Sequence, residues 1–233
     1  MGRGRTSTVV KSRFVRPGSS RTTPAAYRGR AGGGARRQIG AALRYIETRE
    51  LGADERPEDR ALFSAQADQI ARREAREEVA RWVTPGVAYH SLVLSPGPLG
   101  ESMSVEQMRE WTRHVMADLE KRWGAEVTWY AAIHQHTDHI HAHVIVAASR
   151  ERSDGGRQGT RFGREDFAAL RASGDRQAEH DHAAAQVVRE VERYAADLAW
   201  LVLALPHSGG GGGHGPTDRD EIDRDEREAG RHR

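Results

Sequence analysis

Apolar residues in the segment 38–49, QIGAALRYIETR, fall at Ile39, Ala42, Leu43 and Ile46. That spacing predicts one face of a helix. Gly52 to Pro57 breaks the pattern. Residues 58–82 then resume it, apolar on one side and heavily charged on the other, which predicts one or two more helices. Thr84-Pro85-Gly86 is a stop signal, and beyond it the period changes. Residues 87–94, VAYHSLVL, are β-branched and aromatic and predict a strand, followed by a Pro/Gly loop over 95–100. Residues 104–123 predict a helix with Ser104 as its cap, Gln107 as the capping-box partner and Gly124 as its end. Residues 127–133 and 140–148 predict two further strands. A short polar segment joins them, so an antiparallel hairpin is expected. Asp154-Gly155-Gly156 reads as a turn, and residues 164–202 read as helix with an interruption near Ser173-Gly174.

The two ends lack such periods. Residues 1–35 are rich in Gly, Ser, Thr, Pro and Arg and are expected to form a disordered basic arm. Residues 207–233 contain an unbroken glycine run, Gly209 to Gly213, and a mixed-charge stretch, and are expected to be disordered too. Between them, residues 36–206 predict a single α/β (α+β) domain with a central, mainly antiparallel sheet flanked by helices.

Charge adds an asymmetry to this plan. The net charge is only +2, yet eleven of the 36 basic side chains lie in residues 1–46, where no acid occurs. A basic end on an otherwise acidic chain suggests a polyanionic partner, most simply nucleic acid. Only Lys11 and Lys121 are lysines, so part of the signal is a general preference for arginine. The absence of cysteine excludes disulfide scaffolds, thiolate zinc sites and cysteine nucleophiles. The N-terminus has no apolar signal segment and no apolar run approaches membrane-spanning length, so a cytoplasmic protein without membrane contact is expected.

Candidate chemistry concentrates in HQHTDHIHAH, residues 134–143, which holds five of the twelve histidines. On the third strand, period-two alternation puts His141 and His143 on one face and Ile140, Ala142, Val144 and Val146 on the other. His134 ends the neighbouring strand and can close on the same spot. Three histidines from two adjacent strands, with open positions left over, suit a catalytic metal site rather than a structural one. His180-Asp181-His182 falls in a helical pattern and reads as a solvated face, while Trp111, Trp123 and Trp129 read as core.

Two known patterns fit the histidine stretch. His134, His136, Asp138 and His139 satisfy H-x-H-x-D-H, which resembles the metallo-β-lactamase superfamily. That reading implies a metal hydrolase drawing further ligands from His180, His182 or His207. Alternatively, a lone His134 followed by the pair His141 and His143 on a strand, within TDHIHAHVIV, resembles the HUH endonuclease superfamily and its conjugative relaxases, or plasmid mobilisation nucleases. This second resemblance extends from about Ala35 to Ala178. LRYIETRE (43–50) is similar to the segment around the relaxase tyrosine, and HSLVLSPG (90–97) to a first core strand and loop. TRHVMADLEKRWGAEVTWYAAIH resembles the helix and strand leading into the motif, and GREDFAALRASGDRQA (163–178) the helix after it.

The relaxase resemblance implies an enzyme that nicks and rejoins single-stranded DNA at a transfer origin through a covalent 5′-phosphotyrosine intermediate. Tyr45 would be the nucleophile. His134, His141 and His143 would hold a divalent metal ion, Mg or Mn, with Zn as an alternative. Arg36, Arg37, Arg44 and Arg49 would contact DNA phosphates. His136 stands where such relaxases often carry an acidic residue and could act as a base. A phenol ionises near pH 10, so a tyrosine nucleophile needs activation. Accessory mobilisation proteins are further expected partners. A protein that keeps this fold and binds DNA without cutting it is the reading from a different functional class.

Overall fold

The computed structural model describes residues 8–17, 31–48, 60–135, 139–152 and 154–204. Among them, four strands form an antiparallel sheet: β1 (Val9–Val15), β2 (Tyr89–Ser95), β3 (Trp129–His134) and β4 (His141–Ala147), in the spatial order β1-β2-β4-β3. A hairpin of β5 (Ser149–Glu151) and β6 (Arg157–Gly159) follows, closed by the expected Asp154-Gly155-Gly156 turn. The helices are α1 (Ala31–Thr48), α2 (Arg72–Arg81), α3 (Val105–Trp123) and α4 (Arg164–Ala204), and Gly97–Gly100 forms one 3-10 turn. The mixed architecture and antiparallel sheet are those expected.

The sheet is apolar on both faces because alternate residues of the central strands serve two cores. Ala131, Ile133, Ala142, Val144 and Val146 pack with Met108, Trp111, Val115, Met116 and Leu119 of α3. The intervening Tyr130, Ala132 and Ile145 pack with Ile39, Leu43 and Ile46 of α1 and with Ala75 and Val79 of α2. Helix α3 starts as its sequence dictates. The Gln107 N–H donates to Ser104 Oγ at 3.2 Å and the Ser104 N–H returns to Gln107 Oε1 at 2.8 Å. It stops at Gly124, whose φ of 61° is left-handed.

Four expectations are corrected. The disordered arm assigned to residues 1–35 contains β1, an edge strand paired with β2 along its whole length, and the beginning of α1. The strand is anchored at Thr8, whose N–H donates to Asp175 Oδ1 at 2.8 Å. Within 58–82, only α2 is regular helix. Leu62 bridges Ile70, and Phe63 bridges Ala131 with two 2.9 Å backbone hydrogen bonds, so these residues cap the β3 edge instead of continuing a helix. Helix α4 runs through Ser173-Gly174 without interruption; Gly174 packs against Thr8 and Trp111, where a Cβ would not fit, rather than breaking the helix. Finally, the chain divides into two compact units, Met1–Val188 and Arg189–Arg233, so the expected 36–206 domain differs at both ends. In the first unit lie all six strands. The second is described only over 189–204, all of it α4, and the expected disordered tail 207–233 lies outside the described residues.

Candidate metal centre and cleft

His134 and His141 are register partners across the β3–β4 hairpin, and His143 lies opposite Ala132. The alternation that sends Ala142, Val144 and Val146 into the α3 core turns His141 and His143 to the α1 face. Their donor nitrogens and that of His134 all lie within 4.8 Å of one another, and among the described residues no other cluster could hold a metal ion. The ring centroids are 4.4 to 5.4 Å apart. His134 is fully buried and His141 nearly so, with α1 packed on this face, which makes the site an enclosed corner rather than an open sheet surface.

Hydrogen bonds fix which nitrogens are available. His134 Nε2 lies 2.6 Å from the Ile46 carbonyl and His141 Nδ1 lies 3.1 Å from the His139 carbonyl. A carbonyl only accepts, so both nitrogens carry protons, and in the neutral rings the other nitrogens hold the lone pairs. Such an outer carbonyl is the usual means of orienting a ligating imidazole. The Ile46 carbonyl belongs to the C-terminal part of α1, which is described as far as Thr48. His141 Nε2 and His143 Nε2 are 3.2 Å apart. Two nitrogens bound at about 2.1 Å to one ion would stand roughly 3.0–3.4 Å apart. That pair stands at ligating separation, and with His134 beside it the three imidazoles could hold a divalent metal ion.

A cleft of about 740 Å³ opens beside this corner. Its walls include Gln38, Ala42 and Tyr45 of α1, its floor Ser91, Val93 and His143, and its outer edge Lys11 and Arg13 of β1. Among the described residues, no aspartate or glutamate lines it. Tyr45 is 52% exposed here. The other described tyrosines differ. Tyr89 and Tyr130 are buried in the sheet, and burial pushes both phenols up, that of Tyr130 to about 12. Tyr194 is exposed on α4 beyond Val188.

Of the arginines expected at DNA, Arg36, Arg37 and Arg44 do not line the cleft. Arg36 instead pairs with Glu77 of α2 at 2.7 Å, while Arg37 and Arg44 are exposed on α1. Arg49 and the candidate base His136 lie outside the described residues, as does Tyr27. The cleft's own cations, Lys11 and Arg13, were hidden in the presumed arm. The signal that reveals them is the short run VVKSRFV before Pro17, β-branched and alternating, with Lys11, Arg13 and Val15 on one face.

Among the described residues, the ligands of the metallo-β-lactamase alternative other than His134 do not join the metal cluster. His139 turns toward Glu101, 3.6 Å from its carboxylate, and His180 and His182 make local contacts on α4 with Asp181 and Gln186. His136 and Asp138 lie outside the described residues.

The three-histidine corner thus lies beside an exposed tyrosine on a helix, set on an antiparallel sheet. The family model for the MobA/VirD2-like relaxase nuclease domain matches residues 45–162, a little over half of the chain, and the chain belongs to that family. The match runs from Tyr45 through all three histidines. No curated protein sequence matches the chain. Among solved structures it is similar to the metal-bound conjugative relaxase TrwC in complex with oriT DNA, at 13% identity and a TM-score of 0.48, over 74% of this chain and 68% of that one. It is also similar to the Mn-bound MobM relaxase domain with plasmid pMV158 oriT DNA, at 14% identity and a TM-score of 0.45, over 75% and 86%. Among the described residues, no helix is long and apolar enough to cross a membrane.

Proposed function

We propose that this relaxase nicks and rejoins one DNA strand at the transfer origin of a plasmid or other mobile element, with Tyr45 as nucleophile and a divalent ion on His134, His141 and His143. One observation carries the reading: the exposed phenol of Tyr45 and the imidazole of His143 line the same cleft. Tyr89 and Tyr130 are poor rivals because burial disfavours their phenolates. A cleft of this size next to a buried site suits a single strand, since a duplex keeps its scissile strand against its partner. We place the enzyme in the cytoplasm, with accessory mobilisation proteins as partners.

When bound, the ion supplies Lewis-acid polarisation of the scissile phosphate, and an all-imidazole donor set suits Mn²⁺ better than Mg²⁺, which prefers oxygen. The remaining work falls to the chain. Tyr45 Oη attacks phosphorus, and its bond to phosphorus forms as the bond to the 3′ oxygen breaks. The phenolic proton passes to a base, a role we assign to His136, and the departing 3′ oxygen takes up a proton. A 5′-phosphotyrosine and a free 3′-hydroxyl result. One phosphoester replaces another, so the reverse attack reseals the strand without ATP.

The test is incubation of the full chain with single-stranded origin oligonucleotides and Mn²⁺, read by denaturing electrophoresis. The wild type should give a covalent protein–DNA band, and Tyr45→Phe should lose it while still binding DNA and metal. An adduct that survives in Tyr45→Phe removes Tyr45 from the role. Metal-dependent hydrolysis without an adduct, or binding alone, would overturn the nicking-and-joining reading.

A further inference from the structure

Two cations in the cleft have no role in the chemistry above. Sheet register places them. Lys11 pairs with Val93, and Val93 with His143, so these three residues form one row across the sheet. Arg13, Ser91 and Ile145 form the next row on the same face. Helix α1 packs on Tyr130, Ala132 and Ile145, over the β3–β4 half of that face. The β1–β2 half is left as the floor of the cleft. Lys11 and Arg13 are exposed there, and among the described residues neither forms a salt bridge. Arg13 lies close enough to Tyr89 to act on its phenol, drawing its pKa down against burial.

The spacing suits a nucleic-acid backbone. Two strands at about 4.8 Å put β1 roughly 10 Å from β4, and two residues at about 3.4 Å put Arg13 roughly 7 Å from Lys11 along the strand. Long side chains from both reach over a floor that, among the described residues, carries no acid and ends at the histidine corner. A second cleft provides the contrast. Around Trp129 it is lined by Glu74, Glu78, Glu120, Glu126 and Glu151 and would repel the same ligand.

We propose that Lys11 and Arg13 form a phosphate-binding ledge that holds consecutive backbone phosphates of the single strand on the β1 side of the scissile bond. The inference rests on the DNA-nicking reading above. Lysine and arginine on an edge strand could instead serve only to block pairing with another chain, and the experiment separates the two roles.

Binding of a fluorescent single-stranded origin oligonucleotide is measured against salt by anisotropy, with the full chain carrying Tyr45→Phe to prevent covalent trapping. Each phosphate contact on a single strand contributes about 0.7 to the slope of log K against log salt. Adding Lys11→Ala and Arg13→Ala should lower the slope by about 1.4, and Lys11→Arg with Arg13→Lys should restore it. Lys121→Ala, exposed on α3, should leave it unchanged. Melting temperatures check that each variant folds. If the parent binds the oligonucleotide and the double variant keeps its slope, the ledge is refuted and the nicking reading stands. Aggregation of the double variant with an unchanged slope also refutes it, in favour of edge protection. If the parent does not bind single strands at all, the functional reading itself fails.

Discussion

Replacing Gly174 by alanine should destabilise the protein although it improves local helix propensity. A Cβ added there would stand 2.6 Å from Thr8 Cγ2, 2.7 Å from Thr8 Oγ1 and 2.8 Å from Trp111 Cζ2. Neither neighbour can withdraw freely. Trp111 is fully buried and its Nε1–H donates to the Gly174 carbonyl at 3.0 Å, while Thr8 is held by its 2.8 Å hydrogen bond to Asp175. Overpacking of this kind costs about 1–3 kcal/mol. Weakening the indole hydrogen bond adds about 1 kcal/mol. The gain in propensity returns about 1 kcal/mol. The net loss is then about 1–3 kcal/mol, or roughly 2–12 °C in Tm at about 2–4 °C per kcal/mol for a domain of this size. Gly40→Ala is the control. Its Cβ would meet only the flexible Arg76 side chain, 3.1 Å away at Cδ, so it should melt at or above wild type. Because Thr8 anchors β1, Gly174→Ala should also weaken oligonucleotide binding. Thermal melting followed by circular dichroism decides the matter, and a Gly174→Ala protein as stable as wild type would refute the steric reasoning.

Two further predictions concern the metal centre and the acidic cleft. His141→Ala should lower Mn²⁺ affinity by more than about 100-fold in calorimetric titration, beyond the usual effect of losing an outer-shell partner, and cleavage should fall with it; unchanged affinity would remove His141 from the ligand set. Burial pushes the Glu120 carboxyl up, against the hydrogen bond it accepts from the Val127 N–H at 3.0 Å. A carboxyl raised on folding stabilises the protein below its unfolded pKa and loses that contribution as pH rises through the folded value. Glu120→Gln, which keeps the acceptor, should therefore raise Tm at pH 7 and lose its advantage in acid below the ordinary glutamate range. An equal gain at both pH values would show that charge is not the cause.

How much could be read from sequence depended on whether a signal was local. Helix α3 is delimited by its own residues, Ser104, Gln107 and Gly124, and was legible to within a residue. The β3–β4 hairpin and its histidines follow from period-two alternation, which also assigns the faces correctly. Strand β1 escaped because seven alternating residues sit among Gly, Ser and Arg and find their partner β2 some eighty positions away. Leu62 and Phe63 resemble the apolar face of a charged helix, yet Phe63 makes better use of its backbone at the open edge beside Ala131. Gly174 reads locally as a helix breaker, and only the proximity of Trp111 and Thr8 gives its missing side chain a purpose. The cleft shares this non-local origin. Its tyrosine was visible as a motif, but its cations belong to a strand that tertiary pairing defines.

The hydrogen bond from His134 to Ile46 uses a main-chain oxygen, one residue along from Tyr45. A main-chain carbonyl is present whatever amino acid occupies the position, so the tether leaves no trace in residue identity. Position 46 needs only an apolar side chain, because it is 2% exposed in the α1 core. The distance between Tyr45 and the histidine corner is thus recorded in backbone geometry rather than in the genetic text. Comparison of related chains letter by letter would rank Ile46 as ordinary core. Shortening or shifting the last turn of α1, with every histidine and the tyrosine intact, would break the connection.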